Sequence, residues 1–321
     1  MANIAINNYC NLKCSYCFAD DMIQESNKNL SVDNYIKILK YLTETNNERS
    51  IGIIGGEPTL HPQFKDILIE SNHCGIANDV NFTLFTNGIE LEQYLSYIGD
   101  KIKILINCNN LFDTKQMESF YSTIIHCFNL GWLDNGKVQL GCNLHLQENQ
   151  YNWIWLLVET FDIHFLRCSV ASPGGQYLNW RNKKDKYFKQ MKPIFLDFCK
   201  EAKKRNVQLG LDCGYIPSCY FSNEELDFVK DILDNHSYNI EVGCHPVMDI
   251  TPDLNVVPCF GLYNHSIPLD FNQNWFGLFR YLSYKYNFPK SLNNTQGPCA
   301  NCDKLCNFQC QGGCLAFSSP S

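Results

Sequence analysis

Ile4-Ala5-Ile6-Asn7-Asn8-Tyr9-Cys10-Asn11-Leu12-Lys13-Cys14-Ser15-Tyr16-Cys17-Phe18 is the stretch that decides how the rest of the chain is read. Its first three residues form a short apolar run and predict a buried strand. Three cysteines follow, spaced by three residues and then by two, on a segment that reads as a loop. Thiols bunched this tightly, in a chain with no secretory signal, point to iron–sulfur or zinc ligation rather than disulfides. A closed site takes four ligands, so a loop that offers three leaves one metal position open to chemistry.

Outward from this loop, apolar runs alternate with stretches of helical periodicity. Further strands are expected at Ile51–Ile54, Phe82–Phe85, Ile102–Ile106, Val138–Leu146 and His164–Val170. Between them, Ser31 caps a helix whose face carries Tyr35, Ile38, Leu39 and Leu42, and a second helix covers Gln63–Asn72. A third helix lines up Met117, Phe120, Tyr121, Ile124 and Phe128 and stops near Gly131. Tyr151–Phe161 and Lys183–Arg205 complete the set, the latter kinked or restarted at Pro193. Six strand–helix units predict an α/β fold with a parallel sheet covered by helices. Ligands of such folds gather at the C-terminal strand ends. Cys10–Cys17, Gly55–Glu57, Thr86–Gly88, Asn107–Asn110 and Ser172–Gly175 all follow strands and are expected to share one face.

A chain of 321 residues can bury a large core and carry a smaller second domain. Its formal net charge of -7 implies no basic face, which argues against a nucleic-acid partner. No charged n-region, signal-like apolar run or membrane-length stretch is present, so the expected location is cytoplasmic, with no membrane partner. Eighteen cysteines are then an excess, because a reducing compartment disfavours disulfides. Cys74, Cys108, Cys127, Cys142, Cys168 and Cys199 are scattered through apolar segments and read as small buried hydrophobes. The others crowd the front loop and the last third, where the chain turns cysteine-punctuated after a strand-like Gln208–Leu211 and a capping box from Ser222 to Glu225. The expected domains are therefore residues 1–207 and 208–321.

Taken with Gly55-Gly56-Glu57-Pro58 after the second strand and Thr86-Asn87-Gly88 after the third, Cys10-x3-Cys14-x2-Cys17 resembles the signature of radical S-adenosylmethionine (SAM) enzymes. The resemblance implies a partial (β/α)6 TIM-like barrel with a small cysteine-rich C-terminal domain. It also implies a 4Fe–4S cluster held by Cys10, Cys14 and Cys17, its fourth iron chelated by the amino and carboxylate groups of SAM. One-electron reduction would cleave SAM to methionine and a 5′-deoxyadenosyl radical, which takes a hydrogen atom from the substrate. Gly55, Gly56, Glu57 and Pro58 would lie beside the methionine amino group, the glycines allowing close backbone approach. Thr86 and Asn87 fit the same site. Asn107 and Asn109 are candidates for the SAM ribose, and Arg167 for a carboxylate of SAM or substrate, a structural role for Arg167 being the alternative.

The tail resembles the SPASM domain, which holds auxiliary 4Fe–4S clusters. Cys244, fourteen intervening residues and Cys259, then Cys299-x2-Cys302 and Cys310-x3-Cys314, follow its layout. Leu254 stands where that family's hairpin usually has glycine, Cys306 is extra, and no cysteine follows Cys314. With four thiolates per cluster, Cys299, Cys302, Cys306 and Cys310 make one set. Cys244, Cys259 and Cys314 make the other, completed by Cys219 or Cys213, and the leftover thiol of that pair is either a hydrogen-atom donor or substrate ligand in catalysis or a buried bystander. A pair of zinc sites, or a single auxiliary cluster, are the alternatives for the tail. Phe260 replaces the aspartate that sulfatase-maturing relatives carry at this place, which counts against that activity.

The implied activity is modification of a ribosomally synthesised peptide by cross-linking, thioether formation or epimerisation. The alternatives are epimerisation or dehydrogenation of a small molecule such as a sugar or aminoglycoside, and a non-enzymatic iron–sulfur carrier or zinc-stabilised binding protein. Expected partners are the substrate and an electron donor such as flavodoxin or ferredoxin. Because the chain opens on its first strand, either a separate leader-peptide-binding protein or direct reading of the core peptide by the enzyme is expected.

Overall fold

The apolar runs become strands β1 (Ala2–Ala5), β2 (Ser50–Ile54), β3 (Asn81–Thr86), β4 (Ile102–Cys108), β5 (Val138–Leu144), β6 (Phe165–Val170), β7 (Gln208–Leu211), β8 (Asp249–Ile250), β9 (Asn255–Val257) and β10 (Ile267–Pro268). Helices α1 (Asp20–Ile23), α2 (Val32–Lys40), α3 (Phe64–Asn78), α4 (Thr114–Asn129), α5 (Asn152–Thr160), α6 (Lys184–Lys204), α7 (Asn223–Lys230) and α8 (Trp275–Lys285) lie between or after them. This computed structural model describes residues 2–23, 27–147, 151–172, 179–180, 183–212, 216–233, 247–285, 299, 302–303, 307 and 314–317. The strand–helix alternation is that of an α/β fold of the partial TIM-barrel type. Two compact units make up the chain: Met1–Lys13, Ala19–Gln139 and Pro246–Tyr286 form the first, and Cys14–Phe18, Leu140–His245 and Asn287–Ser321 the second.

In the first unit β1, β2, β3 and β4 pair in parallel, in registers such as Ala2↔Ile51, Ile51↔Phe82 and Phe82↔Ile102. β1 and β2 are buried at nearly every position, which is why they read as unbroken apolar runs, whereas β3 alternates with Phe82, Leu84 and Thr86 inward. Ser31 Oγ accepts from Asn34 N–H and caps α2 as expected, but the helix then widens into a π-helical turn over Tyr41–Thr45. Asp113 caps α4 through Gln116 N–H. The buried stripe of α4 is Phe120, Thr123, Ile124 and Cys127, while Met117 and Phe128 are exposed. The expected stripe is thus corrected: polar Thr123 and small Cys127 complete the i, i+3, i+4, i+7 face, and two large side chains fall off it.

The second unit pairs β5 with β6 and β6 with β7, both parallel. Gln208–Leu211 is therefore a seventh parallel strand, lying beside β6, where the sequence predicted six in the barrel and placed this run after residue 207. α6 continues through Pro193 as one helix and buries Tyr187, Phe188, Met191, Phe195, Phe198 and Cys199. Phe198 packs on Trp155 of α5 at 4.6 Å between ring centroids. Ser222 and Glu225 form the expected capping box on α7.

Residues beyond 207 divide between the units. β8 pairs in parallel with β1 (Asn3↔Asp249, Ile4↔Ile250) and turns through an antiparallel hairpin into β9, so this hairpin extends the first unit's sheet. Leu254 in its turn has φ +59°, the left-handed conformation that a glycine adopts without cost. Tyr41 donates through its hydroxyl to Gln273 O at 2.7 Å and packs on Phe271 and Trp275, tying α8 to the π turn.

Asp249 is 2% exposed and accepts a hydrogen bond from Asn3 Nδ2 at 2.8 Å. Burial pushes its carboxyl up to about 7 from an ordinary 3.8, against the hydrogen bonds from Asn3 and Phe260 N–H. Its folded form binds the proton more tightly, so this contribution to stability is full below pH 3.8 and is lost as pH rises through about 7. Asp249→Asn removes the titration. Its melting temperature should exceed that of the unmodified chain by about 5 °C near pH 8.5, with the gap narrowing to less than half of that near pH 5. Melting curves with equal gaps at both pH values would reject the assignment.

Candidate functional site

The first unit brings three of the expected segments together at the ends of β1, β2 and β3. Beyond β2 the chain stays pinned to the start of the cysteine loop: Gly56 N–H donates to Asn7 O at 3.1 Å and Glu57 N–H to Tyr9 O at 2.8 Å. Asn7 Nδ2 returns a bond to Glu57 O at 2.7 Å. A Cβ on Gly55 would stand 2.2 Å from Asn7 Oδ1, and one on Gly56 2.2 Å from Tyr9 O. The glycines are therefore required by the approach of the chain to itself, whatever ligand lies beyond. Pro58 opens a 3-10 turn, Pro58–Leu60.

Glu57 is 1% exposed and its carboxylate faces inward. Oε1 accepts from Thr86 Oγ1 at 2.6 Å, Thr59 Oγ1 at 2.7 Å and Thr59 N–H at 3.1 Å, and Oε2 from Asn87 N–H at 2.7 Å. Burial raises its carboxyl above the usual range and these donors oppose the rise. Asn87 carries the network onward: its Nδ2 donates to Asn11 Oδ1 at 2.7 Å and lies 3.9 Å from Cys10 Sγ, which also accepts from Leu12 N–H at 3.3 Å. Gln116 Nε2 donates to Asn11 O at 3.2 Å. Asn107 is the penultimate residue of β4, and Asn109 just beyond it bonds Asn107 O at 2.7 Å. The sequence reading missed Asn7, Asn11 and Thr59. Its available signal was two polar residues, Asn7 and Asn8, ending an apolar strand; both are fully buried.

Within the second unit, Cys17 N–H donates to Cys14 O at 3.1 Å, closing a turn around Ser15 and Tyr16. The Tyr16 ring stacks on His145, just beyond β5, with centroids 4.3 Å apart, and Ser15 Oγ donates to Gln147 Oε1. Burial pushes the Cys14 thiol up, partly offset by a hydrogen bond from Tyr16. Arg167 lies within β6 and pairs with Asp212 at 2.9 Å, both half-buried. Cys10, Cys14 and Cys17 are all half-buried. Among the described residues, no three His, Cys, Asp or Glu side chains are placed to hold one metal ion. An iron–sulfur cluster binds each thiolate at a different iron, so its ligands need not meet at one point. The N–H donors aimed at Cys10 Sγ suit a cluster thiolate.

Of the tail cysteines, Cys259 precedes a short 3-10 turn in the first unit. In the second, Cys299 is buried, Cys302 and Cys314 are half-buried, and Cys219 is exposed on the 3-10 turn Ser218–Tyr220. Cys213, Cys244, Cys306 and Cys310 lie outside the described residues, as do Gly174 and Gly175. Cys108, Cys127, Cys142, Cys168 and Cys199 are buried as expected of small hydrophobes, and Cys74 is half-buried. No helix of the described residues is long and apolar enough to cross a membrane.

Residues 4–114 match the Radical SAM superfamily. The superfamily's cofactors, SAM and a 4Fe–4S cluster, are those the front loop implies. A "Probable GTP 3′,8-cyclase" from Methanococcus maripaludis strain C6 is 38% identical over 97 residues, covering 30% of this chain and 31% of that protein. A GTP 3′,8-cyclase from Clostridium acetobutylicum is 34% identical over 92 residues, covering 28% of each chain. The match thus spans under a third of the length of these relatives. In fold, the chain is similar to Streptococcus suis SuiB bound to S-adenosylmethionine, with a TM-score of 0.61, 15% identity, and coverage of 98% of this chain and 72% of that one. SuiB bound to its precursor peptide SuiA gives a TM-score of 0.54 and 18% identity, covering 80% of this chain and 58% of that one.

Proposed function

We propose, from the premise that residues 4–114 are a radical SAM domain, that the chain is a radical SAM enzyme acting on a ribosomally synthesised peptide. When bound, the cluster and SAM supply a reductive cleavage that yields a 5′-deoxyadenosyl radical able to take hydrogen from an unactivated carbon. The protein's own part is binding and orientation. Cys10, Cys14 and Cys17 would hold three irons of the cluster. The Gly55–Pro58 backbone, fixed to Asn7 and Tyr9, presents the methionine-binding edge. Glu57, turned inward, positions that edge and the Thr86–Asn87 turn rather than the ligand itself. Asn107 and Asn109 are assigned to the ribose, and Arg167, with Asp212 beside it, to a carboxylate.

The observation that carries the peptide reading is the cysteine layout of the tail, from Cys244-x14-Cys259 to Cys310-x3-Cys314. A fold likeness along almost the whole chain to a protein solved with its precursor peptide supports it. We assign Cys299, Cys302, Cys306 and Cys310 to one auxiliary cluster, and Cys244, Cys259 and Cys314, with Cys219 or Cys213, to another. Electrons would come from a flavodoxin- or ferredoxin-type donor.

The reading is tested with anaerobically reconstituted protein, SAM, a reductant and short peptides encoded beside its gene, with GTP and aminoglycosides in parallel arms. A SAM-dependent change in peptide mass or stereochemistry is expected. Consumption of GTP or of a sugar, with every peptide unchanged, moves the substrate to a small molecule. Roughly twelve irons per chain correspond to three clusters and about eight to one auxiliary cluster.

A further inference from the structure

Lys184 opens α6 and is 1% exposed. Lysine is among the residues least often buried, because its head group must find hydrogen-bond acceptors inside the protein. Here Nζ donates to Cys299 Sγ at 3.4 Å, and Cys299 is itself only 8% exposed. Cys302 N–H donates to Cys299 O at 3.4 Å, so both cysteines of this pair are tied to the same spot.

The surroundings are built around that contact. Phe317, three residues after Cys314, packs on Tyr187 and Phe188 of α6 with ring centroids 5.0 and 5.1 Å away. Tyr220, next to Cys219, packs on Phe188 at 5.2 Å. The first turns of α6, the helix that Lys184 opens, thus gather three cysteine-bearing segments of the second unit.

We propose that Lys184 is a positioning residue whose buried hydrogen bond to Cys299 sets the reduction potential of the auxiliary cluster that Cys299 ligates. The assignment rests on the reading of Cys299 as a cluster ligand. Reduction adds negative charge to the cluster and its thiolates, so a donor fixed at a ligand sulfur stabilises the reduced state more than the oxidised one. Water is excluded there, which strengthens the bond. Such a donor raises the potential, and its removal lowers it.

The test uses the full chain carrying Cys10→Ala, Cys14→Ala and Cys17→Ala, so that only auxiliary signals remain, with Lys184 native or changed to Met, Gln or Arg. After anaerobic reconstitution, iron and sulfide are counted and each protein is titrated against redox mediators with EPR detection. Lys184→Met should keep its iron and shift the midpoint to more negative potential, and Lys184→Arg should restore most of the shift. Should the Met variant lose iron, Lys184→Gln, which keeps a weaker donor, should still titrate below the native protein. A cluster whose midpoint ignores Lys184 in every variant that retains iron overturns this assignment alone. Zinc in place of iron, or no cluster in the background protein, overturns the auxiliary-cluster reading and this assignment with it.

Discussion

Changing Cys10, Cys14 and Cys17 together to alanine is expected to abolish SAM-dependent 5′-deoxyadenosine formation and to remove about four irons per chain. The auxiliary irons should remain. All three side chains are half-buried and none fills the core of either unit, so the loss in stability should stay near 1 kcal/mol. Anaerobic assay with dithionite, beside iron counting and a melting curve, separates the outcomes. Deoxyadenosine formed at the native rate by a folded triple variant would sink the assignment of the front loop.

The second large effect is expected at Glu57. Alanine there leaves Thr59 N–H, Asn87 N–H and two threonine hydroxyls facing a void. Buried donors without acceptors cost about 1–3 kcal/mol each, less where a hydroxyl can turn to another partner, so Glu57→Ala should lose about 3–5 kcal/mol. It should also loosen the Thr86–Asn87 turn and with it the hold of Asn87 on Asn11. Glu57→Gln keeps the shape and an acceptor for Asn87 N–H but sets an amide against Thr59 N–H, and should lose roughly half as much. Urea denaturation and SAM titration read both. A Glu57→Ala protein with native stability and weakened SAM binding would instead place the carboxylate on the ligand.

The site was legible in part because its signals are local. Three thiols within eight residues, and a glycine turn at a strand end, carry their chemistry in their spacing. The roles inside those motifs were less visible. Gly55 and Gly56 read as room for a ligand, yet the space that a Cβ would need is already filled by Asn7 and Tyr9. Glu57 read as a group facing SAM, yet its carboxylate is turned to Thr59, Thr86 and Asn87, partners up to thirty residues away. Spacing names the residue types that meet; it does not say which way a side chain points.

What the sequence by itself determined is the set of elements and their chemistry: parallel strands from apolar runs, the Ser31 and Ser222 caps and the front cysteine loop. Each depends on neighbours within a few residues, where backbone sterics and short hydrogen bonds dominate. Only the tertiary structure decided that β7 pairs with β6, that the hairpin of β8 and β9 joins β1, and that Lys184 meets Cys299. These contacts join residues 43 to 246 positions apart, as Phe165↔Gln208 and Asn3↔Asp249 show. They form because closing a long loop costs only slightly more than closing a short one, while burial of a shared apolar face rewards both alike.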